Sequence, residues 1–388
     1  MGQEKKMNAA QAPPCEMITT PQALSDLVAR IRGCEMVAID LEADSMFHFQ
    51  EKVCLIQMAA GGYTAVIDPL TVEDLSSLKP LCQDPAVCKV LHGADYDVRS
   101  LYRDFGITIN NLFDTQLASM YLGYKETGLE SVVSHRFGVD LDKKYQKKDW
   151  SRRPLPDEMI AYAACDVVFL VPLAKMIMKE LQTKKRLAWV LEECDLLSRV
   201  RPINNNGAPM FLKVKGAGRL TPRQLATLES LLQVRKNIAI QKDRPLFKII
   251  SNVTLLKLAT HAPMTMATLK KSELLSDKQI SMYGKSILKA IQEAGVIPQE
   301  NLPAYPRQKS PRMSPRVPGR VKAIREWRDR MAERMKMDPA LLLNRALIRD
   351  IAVQKPTSVE TLADVPGIHH WQVEAFGAKI TEIISRQK

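Results

Sequence analysis

The rear half of the chain repeats itself. Arg235 recurs as Arg328, Pro263 as Pro356, Leu269 as Leu362, Gly284 as Gly377 and Ile287 as Ile380, each pair 93 residues apart. Pro245 and Pro339 match one residue out of step. A constant offset held this long is the signature of a duplicated domain. Beyond residue 200 the apolar residues recur with helical spacing and strand patterns stop, so both copies, 214–297 and 319–388, are expected to be all-helical. Between them lies a Pro- and Arg-rich stretch, LPAYPRQKSPRMSPRVPGR (302–320), and residues 298–318 are expected to form an extended basic linker.

The front half reads differently. MVAIDLEAD (36–44) has the composition of a strand. KVCLIQMAA (52–60) and YTAVIDP (63–69) read as two more, joined by a tight Gly61-Gly62 turn. KVLHG (89–93) is a short strand that runs into a helix over 94–106, stopped by Gly106. Asp114 stands where it would cap the next helix. Residues 157–182 read as one long helix, acidic at its start and kinked by Pro172. Strands first, then strands alternating with helices, predict an α/β domain, a mixed sheet flanked by helices, over 17–200. Residues 1–16 read as a disordered tail.

Charge follows the same division. The chain carries 56 Lys and Arg against 43 Asp and Glu, a net of +13. Residues 1–200 hold 23 basic and 28 acidic residues, and residues 201–388 hold 33 and 15. A basic half docks on phosphates by releasing counterions. An acidic half is out of place in a pure nucleic-acid binder unless its carboxylates hold cations. The seven Cys are scattered with no C-x-x-C pair, which argues against a zinc site and a disulfide framework and suits a reducing cytoplasm. No apolar run reaches about 18 residues, so no membrane-spanning helix and no membrane partner are expected. The N-terminus lacks the apolar core of a secretory signal.

Three acidic constellations stand out. Asp40 and Glu42 lie two apart on a strand, hence on one face. The apolar VAID before them implies a central strand, where paired carboxylates need a cation. Taken alone, D-x-E also fits a solvated edge pair. Tyr162 and Asp166 lie four apart in an apolar helix, AYAACDVVFL, and share one face. There a phenol and a carboxylate can hold a water between them, or serve the fold as a hydrogen-bonded pair. In LHGADYDVRSL (91–101), Asp95 reads as a helix cap, while Asp97, one turn in, is the better metal ligand. A basic loop, KKYQKKDWSRRPLP (143–156), places Lys147, Lys148, Arg152 and Arg153 around Trp150. That mixture fits a base-stacking platform with phosphate contacts. It also fits a core Trp flanked by solvated charge.

In this order the motifs resemble the DEDD exonuclease superfamily in its tyrosine-bearing branch, and the ribonuclease D family most closely. D-x-E falls on Asp40 and Glu42, the second motif on Asp97, and Y-x-x-x-D on Tyr162 and Asp166. FDTQLA (113–118) and DWSRRPL (149–155) are similar to the same family, although Lys148 stands where the family usually has a small hydroxyl residue. The two repeats resemble HRDC domains, the second departing more, with Asp338-Pro339 where the first has Arg244-Pro245. The resemblance spans about 17–388.

It implies a ribonuclease-H-like exonuclease domain and a 3′→5′ exoribonuclease that trims 3′ single-stranded ends of tRNA precursors to 5′-monophosphates. It also implies two divalent cations, Mg²⁺ or Mn²⁺, held by Asp40, Glu42, Asp97 and Asp166. Asp40, Glu42 and Asp166 would hold the ion that activates water, Asp40 and Asp97 the ion at the leaving 3′-oxygen, and Tyr162 would orient the water. The competing readings are a 3′→5′ DNA exonuclease and a non-catalytic RNA-binding adaptor. Removal of 319–388 is expected to weaken RNA binding and leave cleavage of short oligonucleotides intact.

Overall fold

The computed structural model describes residues 5–6, 14–202, 207–306 and 314–387. The chain divides into two compact bodies. One comprises Met1–Ala43, Val53–Pro202 and Pro311–Lys388, the other Asp44–Lys52 and Ile203–Ser310.

Strand β1 (Lys5–Lys6) stands apart from a six-stranded mixed sheet. That sheet is built from β2 (Glu16–Ile18), β3 (Met36–Ala43), β4 (Val53–Ala60), β5 (Tyr63–Ile67), β6 (Cys88–Leu91) and β7 (Leu112–Asp114), in the order β2-β5-β4-β3-β6-β7. A short β8 (Val139–Asp140) pairs with β1. Strand β3 runs antiparallel to β4 and parallel to β6. The β4–β5 hairpin closes through Gly61 (φ 57°) and Gly62 (φ 86°), and two positive φ values in a row match the right-handed strand twist. Strand β4 is buried along nearly its whole length, which explains an apolar run interrupted only by Gln57.

Helices α1 (Pro21–Ile31), α2 (Leu78–Gln83), α3 (Asp95–Phe105), α4 (Thr115–Leu122) and α5 (Leu129–Phe137) precede a helical pair, α6 (Asp157–Val168) and α7 (Leu170–Thr183), and then α8 (Leu187–Ser198). The long helix expected over 157–182 is therefore two. The break falls at Phe169, three residues before Pro172, because a proline ring at 172 obstructs continuation from the preceding turn. The stretch Asp157–Thr183 is long and apolar enough to cross a membrane, contrary to the expectation. Its apolar side chains are accounted for by packing: Leu170, Leu173, Ala174, Ile177 and Leu181 are all buried in the core of this body.

The tail expected over 1–16 ends earlier, since Glu16 already pairs in β2; residues 1–4 and 7–13 lie outside the described residues. The first helical copy contains α9 (Pro222–Lys242), α10 (Leu246–Ile249), α11 (Asn252–His261), α12 (Met266–Lys271) and α13 (Asp277–Gly295). The second contains α14 (Val317–Met335), α15 (Pro339–Leu342), α16 (Arg345–Gln354), α17 (Val359–Ala363) and α18 (His370–Arg386). Helix α14 thus begins inside the stretch expected to be linker, of which 307–313 lie outside the described residues.

The duplication extends to side-chain contacts. Arg235 donates to the Ile250 carbonyl at 2.9 Å, and Arg328 to the Leu343 carbonyl at 2.9 Å, its equivalent. Gly284 and Gly377 each lie where an added Cβ would press on the preceding helix, against Met266 at 3.0 Å and Val359 at 3.2 Å. A close helix crossing explains why both copies keep Gly there.

The second copy shares one hydrophobic core with the sheet domain. Trp371 stacks on Trp189 of α8 with ring centroids 4.6 Å apart. Buried Arg186 donates to the carbonyls of Tyr121 (2.7 Å) and Met335 (2.8 Å), tying the ends of α4 and α14 together. In the other body, Asp243 accepts from the Phe49 amide at 3.0 Å and pairs with His48 Nδ1 at 2.6 Å, fixing the Asp44–Lys52 loop to α9.

Candidate active site

Asp40 and Glu42 project from one face of β3, just before a bulge at Glu42/Ala43. Helix α6 packs over β3, β4 and β5 and brings Tyr162 and Asp166 to the same place. Asp40, Glu42, Tyr162 and Asp166 line one cavity of about 310 Å³. Asp97 does not line it. It is buried in the first turn of α3, where burial and then the charge of Asp40 raise its cost of ionisation.

Asp95 does not cap α3, as the sequence suggested, but is the first helical residue and pairs with Arg99 at 2.8 Å. Asp114 does more than cap α4. Besides the amides of Gln116 and Leu117, it accepts those of Gly93 (2.9 Å) and Ala94 (2.8 Å), so one buried carboxylate locks the turn that leads to Asp97.

The electrostatics are those of acids forced together. Burial pushes Asp40 up to about 7. Glu42 is pushed up to about 10, first by burial, then by the charges of Asp40, Asp166 and Asp97. Asp97 is raised well above the usual carboxylate range by burial, then by Asp40 and Asp114. Asp166 is raised likewise by burial, then by Asp40 and Glu130. The Tyr162 phenol is also pushed up, by burial and then by Asp166, Glu42 and Asp40, so it stays protonated. Among the described residues, no group of three His, Cys, Asp or Glu is set to hold a metal ion as it stands. The donors are nonetheless all oxygen, the set that Mg²⁺ and Mn²⁺ prefer, and their mutual repulsion is what a cation relieves.

The basic loop departs from the stacking reading. Trp150 is 1% exposed and packs with Leu55, Val66 and Ala163, so it presents no face to a base. Its ring backs Tyr162 at 6.1 Å, with Tyr145 edge-on to Tyr162 at 5.7 Å, and together they fix the phenol. Arg153 is not a phosphate ligand either. It forms a two-pronged pair with buried Asp68 (2.6 and 2.7 Å) and donates to the Cys54 and Trp150 carbonyls, stapling the loop to the sheet. Lys147, Lys148 and Arg152 are exposed, Arg152 pairing with Asp149 at 3.2 Å.

The sequence reading missed other residues of the cavity. His92, Gln116, Glu130, Asp142, Lys143 and Gln146 also line it. His92 is held by Thr115 Oγ1 at 2.9 Å and the Thr127 carbonyl at 2.8 Å, and burial lowers its pKa. Its place beside Gly93-Ala94 was the available signal. Lys143 and Gln146 belong to the basic loop, three residues apart, but gave no pattern distinct from its other charges.

Known proteins resemble the chain in both its front and its rear parts. A family model described as 3′-5′ exonuclease matches residues 15–182, and an HRDC domain model matches 224–291 and 318–384. Ribonuclease D of Escherichia coli is 31% identical over 289 residues, 74% of this chain and 77% of that protein. The chain belongs to the ribonuclease D family. Ribonuclease D of Granulibacter bethesdensis is 28% identical over 375 residues, 96% of this chain and 93% of that one. The crystal structure of E. coli RNase D, described as an exoribonuclease involved in structured RNA processing, superposes with a TM-score of 0.73 at 28% identity, covering 96% of this chain and 99% of that one. The catalytic core of RRP6 from Trypanosoma brucei gives 0.61 at 30% identity over 72% of this chain and 80% of that one. This ribonuclease D relative is thus a 3′→5′ exoribonuclease with an exonuclease domain and two HRDC domains, and RNA is its substrate.

Proposed function

We propose that the enzyme trims the 3′ ends of tRNA precursors, releasing nucleoside 5′-monophosphates, with two divalent cations at the Asp40–Glu42–Asp97–Asp166 cluster. The observation that carries this is the Glu42 carboxyl. It lines one cavity with Asp40 and Asp166, with Asp97 buried nearby, so burial and these three acids keep it protonated, and a cation is what lets the cluster ionise together. Bound there, Mg²⁺ or Mn²⁺ would supply the Lewis acidity that ionises water and shields the leaving 3′-oxygen.

The chain's own groups do the rest. Tyr162 keeps its proton and so donates a hydrogen bond that orients the attacking water; it does not act as base. Trp150 and Tyr145 hold its ring in place. Glu130 accepts from Lys143 at 2.5 Å, which orders the cation at the cavity edge where a phosphate enters. The seven free cysteines, five of them buried, accord with a reducing cytoplasm as the site of action.

The test is digestion of a 3′-extended tRNA by wild type and Asp166→Asn, with Mg²⁺, with Mn²⁺ and with chelator. Wild type should release monophosphates only with metal, while the variant binds RNA without cutting it. Cleavage by Asp166→Asn at the wild-type rate would remove this cluster from the chemistry.

A further inference from the structure

Strand β4 places a polar side chain where packing alone would favour an apolar one. Gln57 is 0% exposed, between Ile56 and Met58, which face the main core. Its cross-strand partners are Asp40 on β3 and Val66 on β5. Directly opposed residues in an antiparallel pair share a face, with Cβ atoms roughly 4.5–5.5 Å apart. Leu55, two residues before Gln57 and opposite Glu42, confirms the face: with Val66 it packs against Ala163 and Ala164 of α6. Gln57 therefore lies beside Asp40, behind the catalytic carboxylates and under the helix that carries Tyr162 and Asp166.

Neither Nε2 nor Oε1 of Gln57 has a hydrogen-bond partner. A buried amide without partners is a liability that an isosteric Met or Leu would remove. The liability disappears if a partner becomes available in another state of the site. Asp40 is that partner. It is the residue directly opposite on β3, and a cation at the cluster would hold it as the carboxylate. A metal-ligating carboxylate needs a second hydrogen bond to fix its orientation, and the Gln57 amide stands across the strand pair from it.

We propose that Gln57 is a positioning residue for Asp40: its amide is idle in the metal-free enzyme and orients the Asp40 carboxylate once divalent cations bind. The inference rests on the metal-site reading above.

Melting temperatures in EDTA and in saturating Mn²⁺ test it, with Gln57→Met and Gln57→Leu as parallel variants. The two states should respond with opposite sign. In EDTA each variant should melt at or above the wild-type temperature, because an unpaired amide has gone. The Mn²⁺-induced rise should shrink, and the Mn²⁺ concentration for half-maximal cleavage should increase on the order of tenfold. A merely structural glutamine would do the reverse, lowering the melting temperature in EDTA and leaving the Mn²⁺ increment intact, and that result overturns the proposal. If wild type itself gains nothing from Mn²⁺, the metal site falls and this role with it. If wild type gains and both variants gain equally, only the role of Gln57 falls.

Discussion

Replacing Glu193 by Ala should unfasten the C-terminal repeat from the catalytic fold. Glu193 on α8 accepts from His369 Nδ1 at 2.5 Å and from the Trp371 indole Nε1 at 2.7 Å, and it holds the Tyr121 phenol as well. Trp371 and Tyr121 are almost fully buried, at 1% and 2% exposure. Truncation strands an indole N–H and a phenol O–H away from water, each worth about 1–3 kcal/mol, and removes a charge-assisted bond to His369. The loss should total roughly 3–5 kcal/mol. For a body of this size that lowers the melting temperature by roughly 5–9 °C, at about 2.1 cal/mol/K of unfolding entropy per residue. Urea unfolding at two pH values separates the parts. Glu193 raises the His369 pKa above its ordinary value, chiefly by the hydrogen bond. A raised folded pKa gives stability that is complete below the unfolded value, ~6.5, and is lost as pH climbs through the folded one. The deficit of Glu193→Ala should therefore be larger at pH 5.5 than at pH 9, with the Trp371 share persisting at both. A deficit below about 1 kcal/mol would refute the clamp, and one independent of pH would refute its histidine part.

Three further outcomes are expected. Tyr162→Phe should slow cleavage on the order of 10²-fold in kcat while leaving the Mn²⁺-induced rise in melting temperature unchanged, since it removes only the water-orienting hydroxyl. Trp150→Ala should cost about 3–5 kcal/mol in urea unfolding because the ring fills the core behind Tyr162; unchanged stability with weakened RNA binding would restore the stacking role. In EDTA, stability should fall as pH rises from about 4 to 7, because folded Asp40 keeps a proton up to about 7 that the unfolded chain has already released, and Mn²⁺ should flatten that slope.

Much of the site was legible because its chemistry rides on local periodicity. Asp40 and Glu42 share a face through the strand repeat of two, and Tyr162 and Asp166 through the helical turn. Each pair could be placed before any tertiary structure was known. Asp97 was harder, since choosing it over Asp95 rested on which side of α3 is apolar. The basic loop was misread for a physical reason. Trp150 lies between exposed Lys148 and Arg152, and Arg153 is next to Arg152, yet the partners that bury them, Tyr162 and Asp68, lie elsewhere in the sequence. Composition records that a loop is basic. It does not record which of its cations has a buried carboxylate waiting. The same limit applies to the C-terminal repeat. The 93-residue offset announced a duplicated domain, but nothing in the pattern marked Glu192 and Glu193 as receptors for the start of α18, where they accept from the His370 and Trp371 amides and the Trp371 indole.

That attachment gives the repeat a structural part in the sheet domain as well. An all-helical basic tail reads as an independent RNA grip whose removal spares the chemistry. In the folded enzyme the copy completes the core that supports α4 and α8, through Trp371, Phe376 and the Arg186 bridge. Helix α4 is capped by Asp114, the residue that locks the turn ahead of Asp97. Four crowded acids make the metal-free site a source of instability, and such sites persist only where the surrounding fold supplies a surplus. The C-terminal copy, buried against the frame that carries one of those acids, contributes to that surplus. Its loss should be felt first at the catalytic cluster and only second in affinity for RNA.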